Sequence, residues 1–306
     1  MGRIVAAILI GGLRRSDFEL ALGFRLASLP LEVDLTLLRA WTERLVAAGA
    51  SEVRIITDDS SDAQLVRESD FLRGRFAGTE IRLQRETASH RGTAGTLRDG
   101  CSDLSDGDRV IWIEPHCLPP VDLRPLFERA EAGDVAIGIS GLDHPAGACL
   151  VPAGVLRTVS RIGYQDFKEQ FLPALATLGV RVLPVPISHR AVRVHSRTSY
   201  LEAVATWAAG PRISPKAEVH PTARIDGHSI IADGARIGAE AVVLDGIILE
   251  NAAVGEGAVV ARSVVPMSRR VAPRSLVVDR VIDIESSDAT DELIAVPRVR
   301  PSGATR

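Results

Sequence analysis

Lysine is almost missing from this chain: Lys168 and Lys216 are the only two, and every other basic side chain apart from histidine is arginine. The first half therefore has no amine for a Schiff base, nor for the point-charge contact to phosphate that lysine makes. Cysteine is scarce too. Cys101, Cys117 and Cys149 lie too far apart for a CxxC pair or a zinc knuckle, so buried, reduced thiols are expected. Aromatic residues make up only 4% against 46% hydrophobic, which implies a core of small and β-branched side chains. The net charge of −3 gives no reason to expect a nucleic acid or an anionic membrane as partner. No apolar run is long enough to span a bilayer: the first, Ile4–Ile10, stops at Gly11-Gly12 as a strand entering a loop does. A cytoplasmic protein is expected. The histidines (90, 116, 144, 189, 195, 220, 228) show neither HxxxH nor HExxH spacing.

What is present falls into two textures. From residue 3 to about 205, short Val/Ile runs predict strands at Ile4–Ile10, Val53–Thr57, Ile81–Gln84, Val110–Glu114, Val135–Ile139 and Val180–Val185. Stretches with apolar residues at helical spacing lie between them, at Leu37–Ala48, Thr93–Cys101 and Leu123–Ala132. Alternation of this kind predicts a Rossmann-like α/β domain over 1–207, with a mostly parallel sheet and helices on both faces. After the break Ala208-Ala209-Gly210-Pro211 the period changes. Ile213, Val219, Ile225, Ile231, Ile237 and Val243 follow one another at intervals of six, and after one slip Ile248, Val254 and Val260 resume the phase. Ala217, Ala223, Ala235 and Ala241 recur at a second phase. This is the hexapeptide signature of a left-handed parallel β-helix, in which each aliphatic points inward and stacks on its copies. It is assigned to 211–282, with about three coils between 213 and 266. The polar, proline-containing tail 283–306 is expected to be mobile or draped on the surface.

The order of these parts, with several local runs, resembles the sugar-1-phosphate nucleotidyltransferases (NDP-sugar pyrophosphorylases). AAILIGG (6–12) is similar to their first strand and glycine loop, and TLLRAWTERLVAAGASEVRIIT (36–57) to their first helix and second strand. RGTAGTLRDG (91–100) matches the GTAG element, which in that family approaches the nucleotide base. HPAGACLVPAGVL (144–156), YQDFKEQFLPALATLGVRV (164–182) and SYLEAVATW (199–207) resemble the sugar-side strand, the helix before the last strands and the helix leading into the β-helix. The resemblance implies attack of a sugar 1-phosphate on a nucleoside triphosphate. Such a reaction is mostly positioning and charge neutralisation, with Mg²⁺ held by carboxylates.

The motif positions depart from that pattern at four places. The glycine loop GGLRRSDFELALGF keeps Gly11 and Gly12 but has Arg14 at the third glycine, with Asp17 and Glu19 close behind. The lysine of the family's PKPLLPV-like segment is replaced by Ala27-Ser28, with Arg25 nearby. At the end of the fourth strand His116 takes the place of the metal-binding aspartate, with Glu114 two residues earlier. Arg193 stands at the second aspartate, with His195 and Arg197 close by. Imidazole is a weak ligand for Mg²⁺, and a guanidinium repels it but suits phosphate.

The resemblance thus implies a degenerate, catalytically impaired member that binds a nucleotide or sugar nucleotide. Such a member is expected to act as a homo-oligomer or as a regulatory subunit beside an active pyrophosphorylase. The alternative is an active transferase with Glu114 on Mg²⁺ and Arg14 or Arg15 on phosphate; otherwise no cofactor and no metal site are expected. Gly11, Gly12, Gly92, Thr93, Ala94 and Gly95 are the nucleotide-binding candidates. His116, Gly147, Glu169 and Arg193 are the sugar or phosphate candidates. A third reading, a hexapeptide acyltransferase with His220 or His228 as base, needs a longer β-helix than about three coils.

Overall fold

The computed structural model describes residues 2–11, 15–141 and 144–282. The tail 283–306, Gly12 and Arg14 lie outside the described residues. Contacts divide the chain into two compact units, one of residues up to 207 except 21–23, the other of 21–23 with 208 onward.

The first unit is built on a seven-stranded sheet. Its strands are β1 (Ile4–Ile10), β4 (Glu52–Thr57), β5 (Glu80–Arg85), β6 (Arg109–Ile113), β7 (Val135–Ser140), β8 (His144–Pro152) and β9 (Val182–Ser188), in the order β5-β4-β1-β6-β8-β7-β9. A small hairpin, β2 (Pro30–Glu32) and β3 (Leu35–Thr36), stands apart from it. All neighbours in the large sheet are parallel except β8, which runs antiparallel to both β6 and β7. β8 was visible in the sequence only through the resemblance. Its run HPAGACLVP interrupts the Val/Ile pattern with glycine and alanine, yet Ala146 to Val151 are buried between two strands.

Alternate residues of β1 feed two cores, as the period of a strand requires. Ala6 and Ile8 pack with Trp41, Ile55, Leu65 and Ile113 on one face, and Val5 and Ala7 pack with Leu97, Trp112, Phe167 and Phe171 on the other. Burial on both faces explains the near-continuous apolar runs of the central strands. The helices are α1 (Asp17–Leu22), α2 (Leu37–Ala47), α3 (Ala63–Arg75), α4 (Gly92–Gly100), α5 (Arg124–Arg129), α6 (Ala153–Leu156), α7 (Leu172–Thr177) and α8 (Arg197–Trp207). Caps set the starts of two of them. Thr36 accepts from the Arg39 N–H at the head of α2, and Asp62 accepts from Gln64 and Leu65 at the head of α3.

Register decides where chemistry can sit. Ile8 of β1 lies beside Ile55 of β4 and Ile113 of β6. The residues just past these strands, Gly11, Asp58 and Glu114, therefore emerge at one edge, the carboxyl edge where open α/β sheets bind ligands.

The second unit is a three-sided parallel β-helix. Each side is a four-stranded parallel sheet, so the ladder makes four coils rather than about three. Val265, Val271 and Val277 carry the six-residue phase through a fourth coil, with the polar turn Ser268-Arg269 inside it. The phase also slips twice, not once. Val243 to Ile248 and Val260 to Val265 each take five residues, so Ile231 pairs with Ile248 and Ile248 with Val265 at equal spacing. Both shortened corners turn on a non-glycine residue with positive φ, Asp245 (48°) and Arg262 (45°). Gly227 is required at its corner: at φ 68° a Cβ there would meet Asp245 Oδ1 at 2.2 Å.

Inward aliphatics stack along the axis, with Ile231, Ile248 and Val265 all fully buried. Truncation of Ile248 to alanine is expected to cost about 2–5 kcal/mol. Ile213, 45% exposed at the first coil, should cost far less. Denaturant unfolding of the two variants against wild type measures the difference.

Candidate functional site

An open cleft of about 630 Å³ lies along the carboxyl edge of the large sheet. It is lined by the residues that follow β1, β4, β5 and β6, by the head of α4, and by Tyr164, Asp166, Lys168 and Arg193 from later in the chain.

The β6 corner holds the densest chemistry. Strand β6 ends at Ile113, and the backbone then continues beside the 192–194 segment: Leu118 N–H donates to Val192 O at 2.8 Å and Val194 N–H to His116 O at 2.7 Å. That pairing delivers Arg193 to the carboxylate of Glu114. Nη1 of Arg193 donates to Glu114 Oε2 and also lies 3.4 Å from His116 Nε2. Lys168 Nζ stands 3.9 Å from the other carboxylate oxygen, and the Cys117 thiol donates to Glu114 Oε2 at 3.6 Å. Glu114 is only 11% exposed. The two positions where the resemblance expects metal carboxylates, 116 and 193, do meet in space, with a guanidinium between an imidazole and a carboxylate.

Burial pushes the His116 imidazole below its ordinary value; Arg193 and Lys168 push the same way, against Glu114. A guanidinium can only donate, so the Nε2 that faces it accepts, and the neutral ring carries its proton on Nδ1. Burial, followed by Glu114, pushes the Cys117 thiol up to about 12, so it stays protonated. Ligand atoms of Glu114, His116 and Cys117 lie within 4.8 Å of one another. An oxygen, a nitrogen and a sulfur are not the hard oxygen set that Mg²⁺ takes. Arg193 Nη1 sits against two of the three.

The β1 edge is acidic. Glu86, just past β5, places Oε1 so close to Gly11 that a Cβ there would meet it at 2.9 Å. Burial, then the neighbouring Asp58, raises the Glu86 carboxyl. Asp58 itself is held by Arg25, whose Nη2 lies 2.6 Å from both its oxygens. Arg15 is not at the cleft. Its Nη2 is 3.4 Å from Asp62 Oδ2, the carboxylate that caps α3.

The GTAG element divides. Gly92 and Thr93 line the cleft, whereas Ala94 and Gly95 turn their N–H groups to the Gln165 carbonyl at 3.0 and 3.3 Å. Gly92 needs its missing side chain, for at φ 72° a Cβ would meet Gln165 O at 2.5 Å. Gly147 is buried, away from the lining; its Cβ position lies 2.6 Å from Cys117 Cβ, and its carbonyl accepts from Glu114 N–H at 2.8 Å. Its place is beneath the β6 corner, not in the cleft. Glu169 is exposed and outside the lining, with its N–H on Asp166 Oδ1.

Lys168, Asp166 and Tyr164 were missed as site residues. A π-helical turn, Phe167–Phe171, precedes α7, with Phe171 N–H donating to Asp166 O at 3.0 Å. The wider turn sets Phe167 against Trp112, ring centroids 4.4 Å apart, while Lys168 faces the cleft. Such insertions recur at functional sites. The available signal was Lys168 itself, the one lysine of the first unit. In the β-helix, His220 Nδ1 lies 2.9 Å from Thr222 Oγ1, a local turn contact, and His228 Nδ1 lies 3.2 Å from Ala208 O, twenty residues earlier in the chain.

Residues 210–296 match the family model described as the GMPPB C-terminal domain. The crystal structure of HddC from Yersinia pseudotuberculosis is similar to this chain with a TM-score of 0.53 at 13% identity, over 67% of this chain and 99% of that one. At that identity the likeness is one of fold. No curated protein matches the chain by sequence. The family match over the β-helix and the shared fold agree with the resemblance to the sugar-nucleotide pyrophosphorylases. No helix among the described residues is long and apolar enough to cross a membrane.

Because the His116 pKa is lowered on folding, the folded state binds fewer protons than the unfolded state. The contribution is present above the unfolded value of about 6.5 and is lost as pH falls through it toward the folded value. His116→Gln should remove that part of the acid destabilisation, seen as a flatter stability profile below about pH 6.5. NMR titration should place the imidazole below that value.

Proposed function

We propose that this chain binds a nucleotide or sugar nucleotide without a metal, as a nucleotidyltransferase-like protein in which Mg²⁺-assisted transfer has been lost. One observation carries the reading: Arg193 Nη1 stands on Glu114 Oε2 and beside His116 Nε2. With the imidazole neutral, Arg193 and Lys168 outnumber Glu114, so the corner has one positive charge in excess. A divalent cation 4 Å from a guanidinium is repelled by roughly 8 kcal/mol at an effective dielectric of 20. A phosphate is attracted by the same field, and the planar fork of Arg193 suits its oxygens.

The β1 edge supports the reading from the other side. Asp58 is already paired with Arg25, so Glu86 against Gly11 is the group that disfavours a triphosphate where the resemblance expects one. A chain that holds a sugar nucleotide without turning it over is suited to serve beside an active pyrophosphorylase or as a homo-oligomer.

One observation favours the active alternative: Lys168 brings an amine into the cleft. The same experiment separates the two. Thermal shift and calorimetry with NDP-hexoses of several bases, in EDTA and in Mg²⁺, should give equal stabilisation, about 2.7 kcal/mol at a hundredfold excess over Kd. Arg193→Ala should abolish it. Pyrophosphate release that needs Mg²⁺ and vanishes in Glu114→Ala would overturn the proposal and establish the transferase.

A further inference from the structure

Arg91 immediately precedes the GTAG turn, and its side chain is nearly buried, at 6% exposure. Its Nε donates to Asp99 Oδ2 at 2.7 Å, its Nη2 to Ser160 O at 2.7 Å, and its Nη1 to Gly163 O. Its own carbonyl accepts from Gln165 N–H at 2.7 Å, and the Gln165 carbonyl accepts from Ala94 and Gly95. Burial works to raise the Asp99 carboxyl, but the Arg91 and Arg98 guanidiniums outweigh it and hold the group below the usual carboxylate range. Segment 160–165 is therefore fastened to the head of α4 at both ends and in the middle. It is a rigid part of the cleft wall.

What that fastened segment displays is apolar. Ile162 is 80% exposed and Tyr164 50% exposed, on either side of the Gly163 turn at φ 74°. Tyr164 lines the cleft. An aromatic ring held at the mouth of a polar cleft, with half its surface in water, offers a flat face to a flat ligand group.

Resting on the nucleotide-binding reading, we propose that Tyr164 is the stacking wall for the nucleobase and that Arg91 is the positioning residue that holds it there. The base is favoured over the hexose because stacking rewards a planar π face, which a hexose lacks. Stacking of this kind tolerates any base, so it would supply affinity without choosing among nucleotides.

The test compares ligands that carry one half each: GDP and UDP for the base, glucose 1-phosphate and mannose 1-phosphate for the hexose. Tyr164→Ala should weaken GDP and UDP by roughly five- to a hundredfold and leave the hexose phosphates unchanged. Tyr164→Phe should bind as wild type does. In Tyr164→Trp, GDP should quench the added fluorescence, and combination with Arg91→Lys should remove that quenching. A lysine cannot reach Asp99, Ser160 and Gly163 together, and Arg91→Lys alone should match the Tyr164→Ala loss. GDP bound equally by wild type and Tyr164→Ala, or a loss confined to hexose phosphates, overturns the stacking assignment while the nucleotide reading stands. Failure of wild type to bind any nucleotide removes both.

Discussion

The contact between Arg193 and Glu114 governs the rest of the cleft. A carboxylate only 11% exposed has lost most of its water and must be compensated by charge or by protons. Three elements converge to do so: the 192–194 segment supplies the guanidinium, the π-helical turn supplies Lys168, and the buried thiol of Cys117 supplies a proton to share. The backbone is shaped to permit it. Gly147 has no side chain, so Cys117 can lie against β8, and Trp41 Nε1 donates to Cys117 O at 2.7 Å, fixing the loop from below. Taking away Arg193 would leave a carboxylate with one distant, exposed lysine.

Satisfying Glu114 in this way determines what else the corner can hold. One of the two Glu114 oxygens, Oε2, already accepts two hydrogen bonds, and Lys168 stands nearest the other. The imidazole responds by staying neutral, since a second proton there would face both Arg193 and Lys168. Positive charge thus collects beyond β6, while beyond β4 and β5 the carboxylates of Asp58 and Glu86 stand among the guanidiniums of Arg25 and Arg85. The excess of positive charge lies at the β6 end, which favours that end for a ligand's anionic group.

The strands and the β-helix were legible because their signals repeat. β1, β4, β6 and β7 are buried on both faces, so apolar runs mark them to within a residue or two. The hexapeptide phase holds because each inward aliphatic touches its copy one coil away. The β-helix was read one coil short because the fourth coil, which begins at Val264-Val265, is interrupted by Pro266 and a polar turn before its next two strands. The meeting of Glu114, His116 and Arg193 was also legible, through the resemblance rather than through spacing. Other features depend on tertiary contacts that no local pattern records. Arg15 turns to Asp62, the Ala94 and Gly95 donors turn to Gln165, and Gly147 packs under Cys117.

Lys168 shows why such contacts escape a reading by periodicity. Counted at 3.6 residues per turn, the run from Asp166 reads as one amphipathic helix, and Lys168 falls on its polar face with Glu169 and Gln170. One residue more in the turn rotates everything after it. Phe167 and Phe171 both reach the core, 5.1 Å apart at their ring centroids, and the π turn closes from Asp166 O to Phe171 N–H. Lys168, between the two phenylalanines in the chain, lines the cleft. The π turn, with a buried phenylalanine at each end, carries the first unit's one lysine beside Glu114. Its amine lies nearest Glu114 Oε1 while Arg193 is on Oε2, so a bound anion would meet cations from two independent elements.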